Sequence, residues 1–207
     1  MNTPSSLNHP IVEQSFTLID QEIGQHNLTL LEYQIARRVI HSTADFEFIN
    51  LLKFSPNSID IGVKALRNQT PIITDVTMVR QGIVNLVAKT FNNPIITAIE
   101  NVTRTLPGKT RTETGLLECS QQYPHGIYVI GNAPTALLAL CQQIKEKKFK
   151  PSLIIGVPVG FVSVLESKKM LAQIDIPQIR AEGRKGGSPV AAAIVNALLI
   201  LAWENKI

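Results

Sequence analysis

The chain has 207 residues, a formal net charge of +4 and a pI near 9.1, which is enough length for one sizeable core. With 44% hydrophobic residues, 17% charged residues and no low-complexity run, it is not a disordered protein. Its cations are scattered rather than interleaved with aromatics, which argues against a nucleic-acid surface and favours an acidic small molecule as partner.

Cys119 and Cys141 stand apart, with no CxxC and no histidine at ligand spacing, so reduced thiols and no metal site are expected. Met1 to Asn8 is polar and lacks a basic and an apolar region, which predicts no secretory signal and a cytoplasmic location. Those eight residues are read as a flexible segment before a single domain, the whole chain being 1-207.

From Pro10 to Ile23, Ile11, Val12, Phe16, Ile19 and Ile23 recur at helical spacing, with Ser15 beside the inward face. Thr29-Leu30-Leu31-Glu32 reads as a capping box that opens a second helix, on which Leu31, Ile35, Val39 and Ile40 fall at helical spacing. That helix ends near His41, and the stretch Arg37 to Asp45 is where the chemistry is placed. The helix dipole favours imidazolium there by roughly 0.3 to 1 kcal/mol, which makes His41 a candidate proton donor near neutral pH. A plain C-terminal cap is the competing reading.

Phe46 to Phe54 reads as a short strand or loop, and a helix with Ser58 as N-cap follows through Leu66. Pro71 to Asp75 predicts a buried strand delivering Asp75 at its carboxyl end, before a short helix or turn from Val76 to Val84. A second strand, Ile95 to Ile99, leads through Pro107-Gly108 to a helix at about Arg111 to Gln121. A cation at a helix start is disfavoured by the dipole, so Arg111 points to an anion nearby or to a solvated side chain.

Gly126 to Ile130 predicts the third strand, with Asn132 capping a helix over Ala133 to Lys147 and Pro134 in its first turn. Ser152 to Val157 and Ile176 to Ala181 predict two more strands, the first followed by Pro158-Val159-Gly160-Phe161 and a helix through Ala172. Gly183-Arg184-Lys185-Gly186-Gly187-Ser188-Pro189 then leads into the last helix, with Ser188 as N-cap. Its apolar run, Val190 to Trp203, is interrupted by Asn196 and is shorter than the roughly 20 residues of a membrane span.

This alternation predicts an α/β fold: a doubly wound, mainly parallel five-stranded sheet of flavodoxin-like order with helices on both faces. Asp75, Asn132, the Gly160 turn and Arg184 to Ser188 then share the carboxyl edge of the strands. The turns at Gly131-Asn132, Gly156 to Gly160 and Gly186-Gly187-Ser188 offer backbone N–H groups to a polyanion. The chain has no GxGxxG, GxxxxGK[ST] or GxSxG string, which leaves nucleotide-binding and serine-hydrolase readings without support.

Gln14-Ser15-Phe16, Arg38-Val39-Ile40-His41, Asp75 with Met78-Val79 and Gly82-Ile83, and Thr110-Arg111 form one set of strings. Ile130 to Leu137, Gly156 to Val162 with Glu166-Ser167-Lys168, and Gly183 to Pro189 form another. Together they resemble the precorrin-8X methylmutase family, with its cobalt-precorrin-8 counterpart, from about His9 to Leu199. The resemblance implies an isomerase of cobalamin biosynthesis that shifts a methyl group from carbon eleven to carbon twelve of a polycarboxylate corrin precursor, with no cofactor and no methyl donor. It implies His41 as the catalytic residue acting at a ring nitrogen, Ser15 and Arg111 as pocket positions, a homodimer with sites near the subunit interface, and hand-over to neighbouring enzymes of the pathway. Asp75, Asn132, Arg184, Gly186, Gly187 and Ser188 complete the expected substrate-binding set. Val84 stands where the family carries threonine or asparagine, and Thr112-Glu113 where it has Ser-Ala. A corrinoid-binding protein without turnover and a flavodoxin-like regulatory module are the alternatives.

Overall fold

The computed structural model describes residue 7, residues 9–100 and residues 102–204. Of the expected flexible segment, residues 1–6 and 8 lie outside these.

Two antiparallel helices come first, α1 (Pro10–Ile23) and α2 (Leu30–Thr43). Proline at the first position, the His9 ring accepting from the Ile11 N–H, and Gly24 at φ +65° set the limits of α1. The Thr29–Glu32 capping box opens α2 as expected, and Ala44 closes it in the left-handed conformation. One turn of helix, α3 (Phe48–Leu51), runs into β1 (Leu52–Phe54). Then come α4 (Ser58–Arg67), β2 (Ile72–Thr74), α5 (Thr77–Lys89), β3 (Ile95–Thr97), α6 (Arg111–Gln122) and β4 (Ile127–Ile130). The chain continues with α7 (Pro134–Lys145), β5 (Leu153–Gly156), α8 (Val164–Ala172), β6 (Gln178–Ala181) and α9 (Ser188–Glu204).

Among the described residues the sheet has six strands in the order β1-β6-β5-β4-β2-β3. Five are parallel, while β1 adds an antiparallel edge that pairs Leu52 with Ala181. The expectation of five strands left this edge out of the sheet although Phe46 to Phe54 reads as a short strand or loop, since three residues between a helical turn and Ser55-Pro56 are too few to show a period. The chain steps from β2 out to β3 and returns past β2 to β4, so the order reverses between β2 and β4. In open α/β sheets, ligands bind outside the carboxyl ends of the strands at such a reversal.

Alternate strand residues face opposite layers. Ile72, Ile127, Val129, Leu153, Ile155 and Ile179 join the core that holds α1, α2, α4, α5 and α9. Ile73, Tyr128, Ile130 and Ile154 join the core that holds α6, α7 and α8. Both faces are apolar, as parallel strands require. The last helix is buried nearly all round and packs on α2, α4 and α5. Burial of each large apolar side chain contributes about 1.5–3 kcal/mol against 0–1 for an exposed ion pair, so α9 anchors the layer on which α2 rests. Asn196 interrupts its apolar run in order to donate to the Gly82 carbonyl at 2.9 Å.

Several local boundaries differ from expectation. Asn57, in the left-handed conformation, precedes α4, and Ser58 is buried within it. The fifth helix runs to Lys89, well beyond Val84. Ala133 rather than Asn132 stands at the N-cap of α7, and Ser188 is the first residue of α9.

Candidate active site at the carboxyl edge of the sheet

The α1–α2 hairpin carries His41 to the end of the sheet where the strand-to-helix turns lie. Its helices are locked by Asp20, which accepts from Tyr33 Oη and pairs with Arg37 at 2.8 Å. Further along, the Phe16 ring packs under the Arg37 guanidinium, 4.3 Å from its centroid, and meets the His41 ring edge-on at 5.6 Å. The Arg38 guanidinium lies 5.6 Å from the same ring. Ser15, one residue before Phe16, is half-buried and donates to the Ile11 carbonyl at 2.9 Å.

His41 is exposed, yet partial burial of the ring and the neighbouring Arg38 charge lower its pKa below the ordinary 6.5. This corrects the expectation of an imidazolium. The dipole at the last turn of α2, where His41 sits, favours the charged ring, but desolvation of the ring first and then the Arg38 charge one turn back act against it. Both causes favour the neutral imidazole over the charged ring. Burial lowers the pKa of Arg38 as well, with Glu13 and Glu204 opposing.

Beyond His41 the chain is tied to the loop that precedes α9. Lys185 Nζ lies 2.7 Å from Asp45 Oδ2 and 2.8 Å from Glu47 Oε1. The hydrogen bond from Lys185 holds the Asp45 carboxyl below its ordinary pKa. These partners are 140 residues apart, so nothing in the local sequence announces the contact.

Asp75 is the clearest correction. It is fully buried, and its Oδ2 accepts from the N–H groups of Asn132 at 2.6 Å and Ala133 at 2.9 Å. The carboxylate from β2 therefore occupies the N-terminal cradle of α7 that was assigned to a ligand, and it bridges β2 and β4 where the strand order reverses. Burial raises its pKa, against backbone hydrogen bonds from Asn132, Gly131, Ala133 and Val76.

The other two cradles are also partly engaged. Gly187 N–H donates to the Val157 carbonyl at 2.9 Å, and Gly160 N–H reaches the Arg184 carbonyl at 3.4 Å. Gly186 is required by close approach, since a Cβ there would lie 2.2 Å from the Val157 oxygen. A Cβ on Gly131 would lie 3.0 Å from Ser188 Cα, so the turns before α7 and α9 touch. Ser188 is buried, whereas the Asn132 and Arg184 side chains reach solvent. Beside them Phe161 and Val162 are largely exposed, an apolar surface able to meet the face of a flat ligand.

Arg111 is exposed at the start of α6, beside β3. Four strand spacings separate β3 from β6, roughly 19 Å at about 4.8 Å each. Within one chain the segment just past His41 is thus tied to Lys185 and the turn at Gly131-Asn132 touches Ser188 of the same loop, while Arg111 starts the helix whose Gly115 packs against Ala98 just past β3. Glu113 closes a capping box with Thr110 and pairs with Lys109 at 3.3 Å. Burial opposes its ionisation, but these contacts prevail and its pKa falls. The glutamate that departs from the family pattern is thereby tied to its own helix start.

A groove of about 1080 Å³ lies between the α1–α2 loop and the α3–β1 segment. None of the expected site residues lines it, and Glu22 and Glu47 beside a single Lys53 are a poor match for a polycarboxylate. Among the described residues no three His, Cys, Asp or Glu side chains gather as a metal site would need. Burial pushes the thiols up, Cys119 to about 11 and Cys141 to about 12. Among the described residues no helix is long and apolar enough to cross a membrane.

The family model described as "Precorrin-8X methylmutase" matches residues 10–201. A Synechocystis sp. protein named cobalt-precorrin-8 methylmutase is 58% identical, covering 96% of this chain and 98% of that one. A Pseudomonas aeruginosa protein named precorrin-8X methylmutase is 37% identical, covering 91% and 93%. The crystal structure of a precorrin-8x methyl mutase from Thermus thermophilus superposes with a TM-score of 0.87 at 36% identity, covering 96% of this chain and all of that one.

Proposed function

The chain belongs to the precorrin-8X methylmutase family, and from that premise we propose that His41 acts on a corrin precursor held at the carboxyl edge of the sheet. The protein is an isomerase of cobalamin biosynthesis that moves a methyl group within one molecule. The migration proposed is from carbon eleven to carbon twelve of precorrin-8X or cobalt-precorrin-8. Higher identity to the Synechocystis protein, whose name specifies the cobalt form, supports a cobalt-carrying substrate.

One observation carries the reading: His41 is exposed at the end of α2, with Phe16 and Arg38 against it and the Arg184–Ser188 loop tied alongside. The neutral imidazole donates an N–H hydrogen bond to a ring nitrogen. Substrate carboxylates set against Arg38 offset the charge that depresses the His41 pKa, so that binding favours proton sharing with that nitrogen as the methyl group moves. Asn132 and Arg184 offer polar contacts to the periphery, and Phe161 and Val162 lie against the ring face. Holding the macrocycle in a single geometry contributes alongside the hydrogen bond.

The place of α6 next to β3, at the opposite edge of the parallel strands from the β6 end that leads into the Arg184–Ser188 loop, supports a homodimer in which a second copy brings Arg111 to the pocket. The order of the five parallel strands supports a flavodoxin-like description of a single domain, and a cytoplasmic location fits a pathway enzyme. An absorbance titration with cobyrinic acid and hydrogenobyrinic acid tests the site. Tight binding with a spectral shift that changes in His41→Ala is expected, and an identical shift in the variant would remove His41 from the macrocycle.

A further inference from the structure

We infer that Lys168 is a positioning residue for the methyl shift, holding the Gly183–Lys185 segment so that Lys185 can fix the turn that closes α2 behind His41. Lys168 lies on α8 and is 3% exposed. Its Nζ donates to the Gly183 carbonyl at 2.9 Å and to the Lys185 carbonyl at 2.7 Å, the residues on either side of Arg184. From Lys185 the chain of contacts continues through its ammonium to Asp45 and Glu47. Asp45 follows Ala44, the left-handed residue at the end of α2, and stands four residues past His41.

The plain alternative is a staple between α8 and a loop, with no bearing on the reaction. Three features favour positioning. A buried ammonium is costly, and burial lowers its pKa to about 8, whereas an apolar side chain of the same length would fill the space without that cost. The charge sits where two loop carbonyls need a donor, and neither belongs to a helix or strand. The segment they define carries Arg184 at the site and Lys185 in the clamp, so release of one carbonyl loosens both. Lys168 touches no reacting atom and acts through Lys185.

The inference rests on His41 acting on the substrate, and the test separates the two. Turnover, cobyrinic acid affinity and thermal unfolding are measured for Lys168→Met, Asp45→Asn, the double variant and His41→Ala. For a folded Lys168→Met the expected result is a kcat lowered about 10- to 100-fold, as misplacement by about 1 Å produces, with the dissociation constant changed less than about threefold. Asp45→Asn lowers kcat in the same direction, and the double variant is little worse than Lys168→Met, because both cut one chain of contacts. Wild-type kcat in folded Lys168→Met, or single effects that multiply in the double variant, overturns the inference. If Lys168→Met does not fold, Asp45→Asn decides alone, and an unchanged kcat there overturns it. Wild-type turnover in His41→Ala would instead refute the reading of the site, whereas an inactive His41→Ala beside an active Lys168→Met refutes only the positioning role.

Discussion

Replacing Asp75 with alanine leaves two N–H groups at the start of α7 without their acceptor, that of Asn132 at 2.6 Å and that of Ala133 at 2.9 Å. An unsatisfied buried donor costs about 1–3 kcal/mol, so the pair costs roughly 2–6. Removal of a buried carboxylate with a raised pKa offsets part of this, leaving a net loss of about 2–4 kcal/mol. At about 2–4 °C per kcal/mol for a chain of this size, Tm falls by roughly 4–16 °C in a calorimetric scan. Asp75→Asn keeps one acceptor and should lose less. The pH dependence has a definite sign. The folded pKa lies above the unfolded one, so ionisation opposes folding above the unfolded value, and the group favours the folded state as pH falls through the folded pKa. Wild type should therefore gain on Asp75→Asn with acidification. A Tm unchanged in Asp75→Ala, together with lost corrin affinity, would make Asp75 a ligand contact and refute the structural assignment.

By NMR titration the His41 pKa in the free protein should fall below 6.5 and should rise in Arg38→Met; a value at or above 6.5 contradicts the neutral imidazole. Gly186→Ala meets the Val157 oxygen at 2.2 Å and should lower turnover about tenfold or more by displacing the loop. Gly183→Ala meets nothing within 4 Å and carries only the strain of φ +71°, about 1 kcal/mol, so the reverse order of effects would count against the loop's placement. Arg111→Ala should weaken cobyrinic acid binding about tenfold with little change in Tm, as loss of one charged contact does. An unchanged dissociation constant would leave Arg111 a solvated cation.

What was legible in the sequence was local. Proline at position 10 with the Phe16–Ile19–Ile23 spacing defines α1, and Thr29 with Glu32 defines the start of α2. The Thr110–Glu113 box has the same form, but Arg111 drew the reading toward a ligand. Asn132 is a good cap by type, yet a carboxylate 57 residues earlier supplies the function. The lowered pKa of His41 is not legible from the end of α2 alone, because partial burial of the ring, the larger cause, depends on tertiary packing, and only the Arg38 charge one turn earlier is visible in the sequence. Neither Lys185 with Asp45 nor Lys168 with the Gly183 loop could be read from spacing, since the sheet alone brings them together.

The most direct test of the account is the single-turnover rate of methyl migration in His41→Ala and wild type, followed by absorbance with enzyme in excess, alongside cobyrinic acid affinity. The account predicts a rate lower by about 10²- to 10⁴-fold, the usual share of a positioned acid or hydrogen-bond donor, with the fold intact and the corrin still bound. A wild-type rate in the folded variant would contradict it and move the chemistry away from the end of α2.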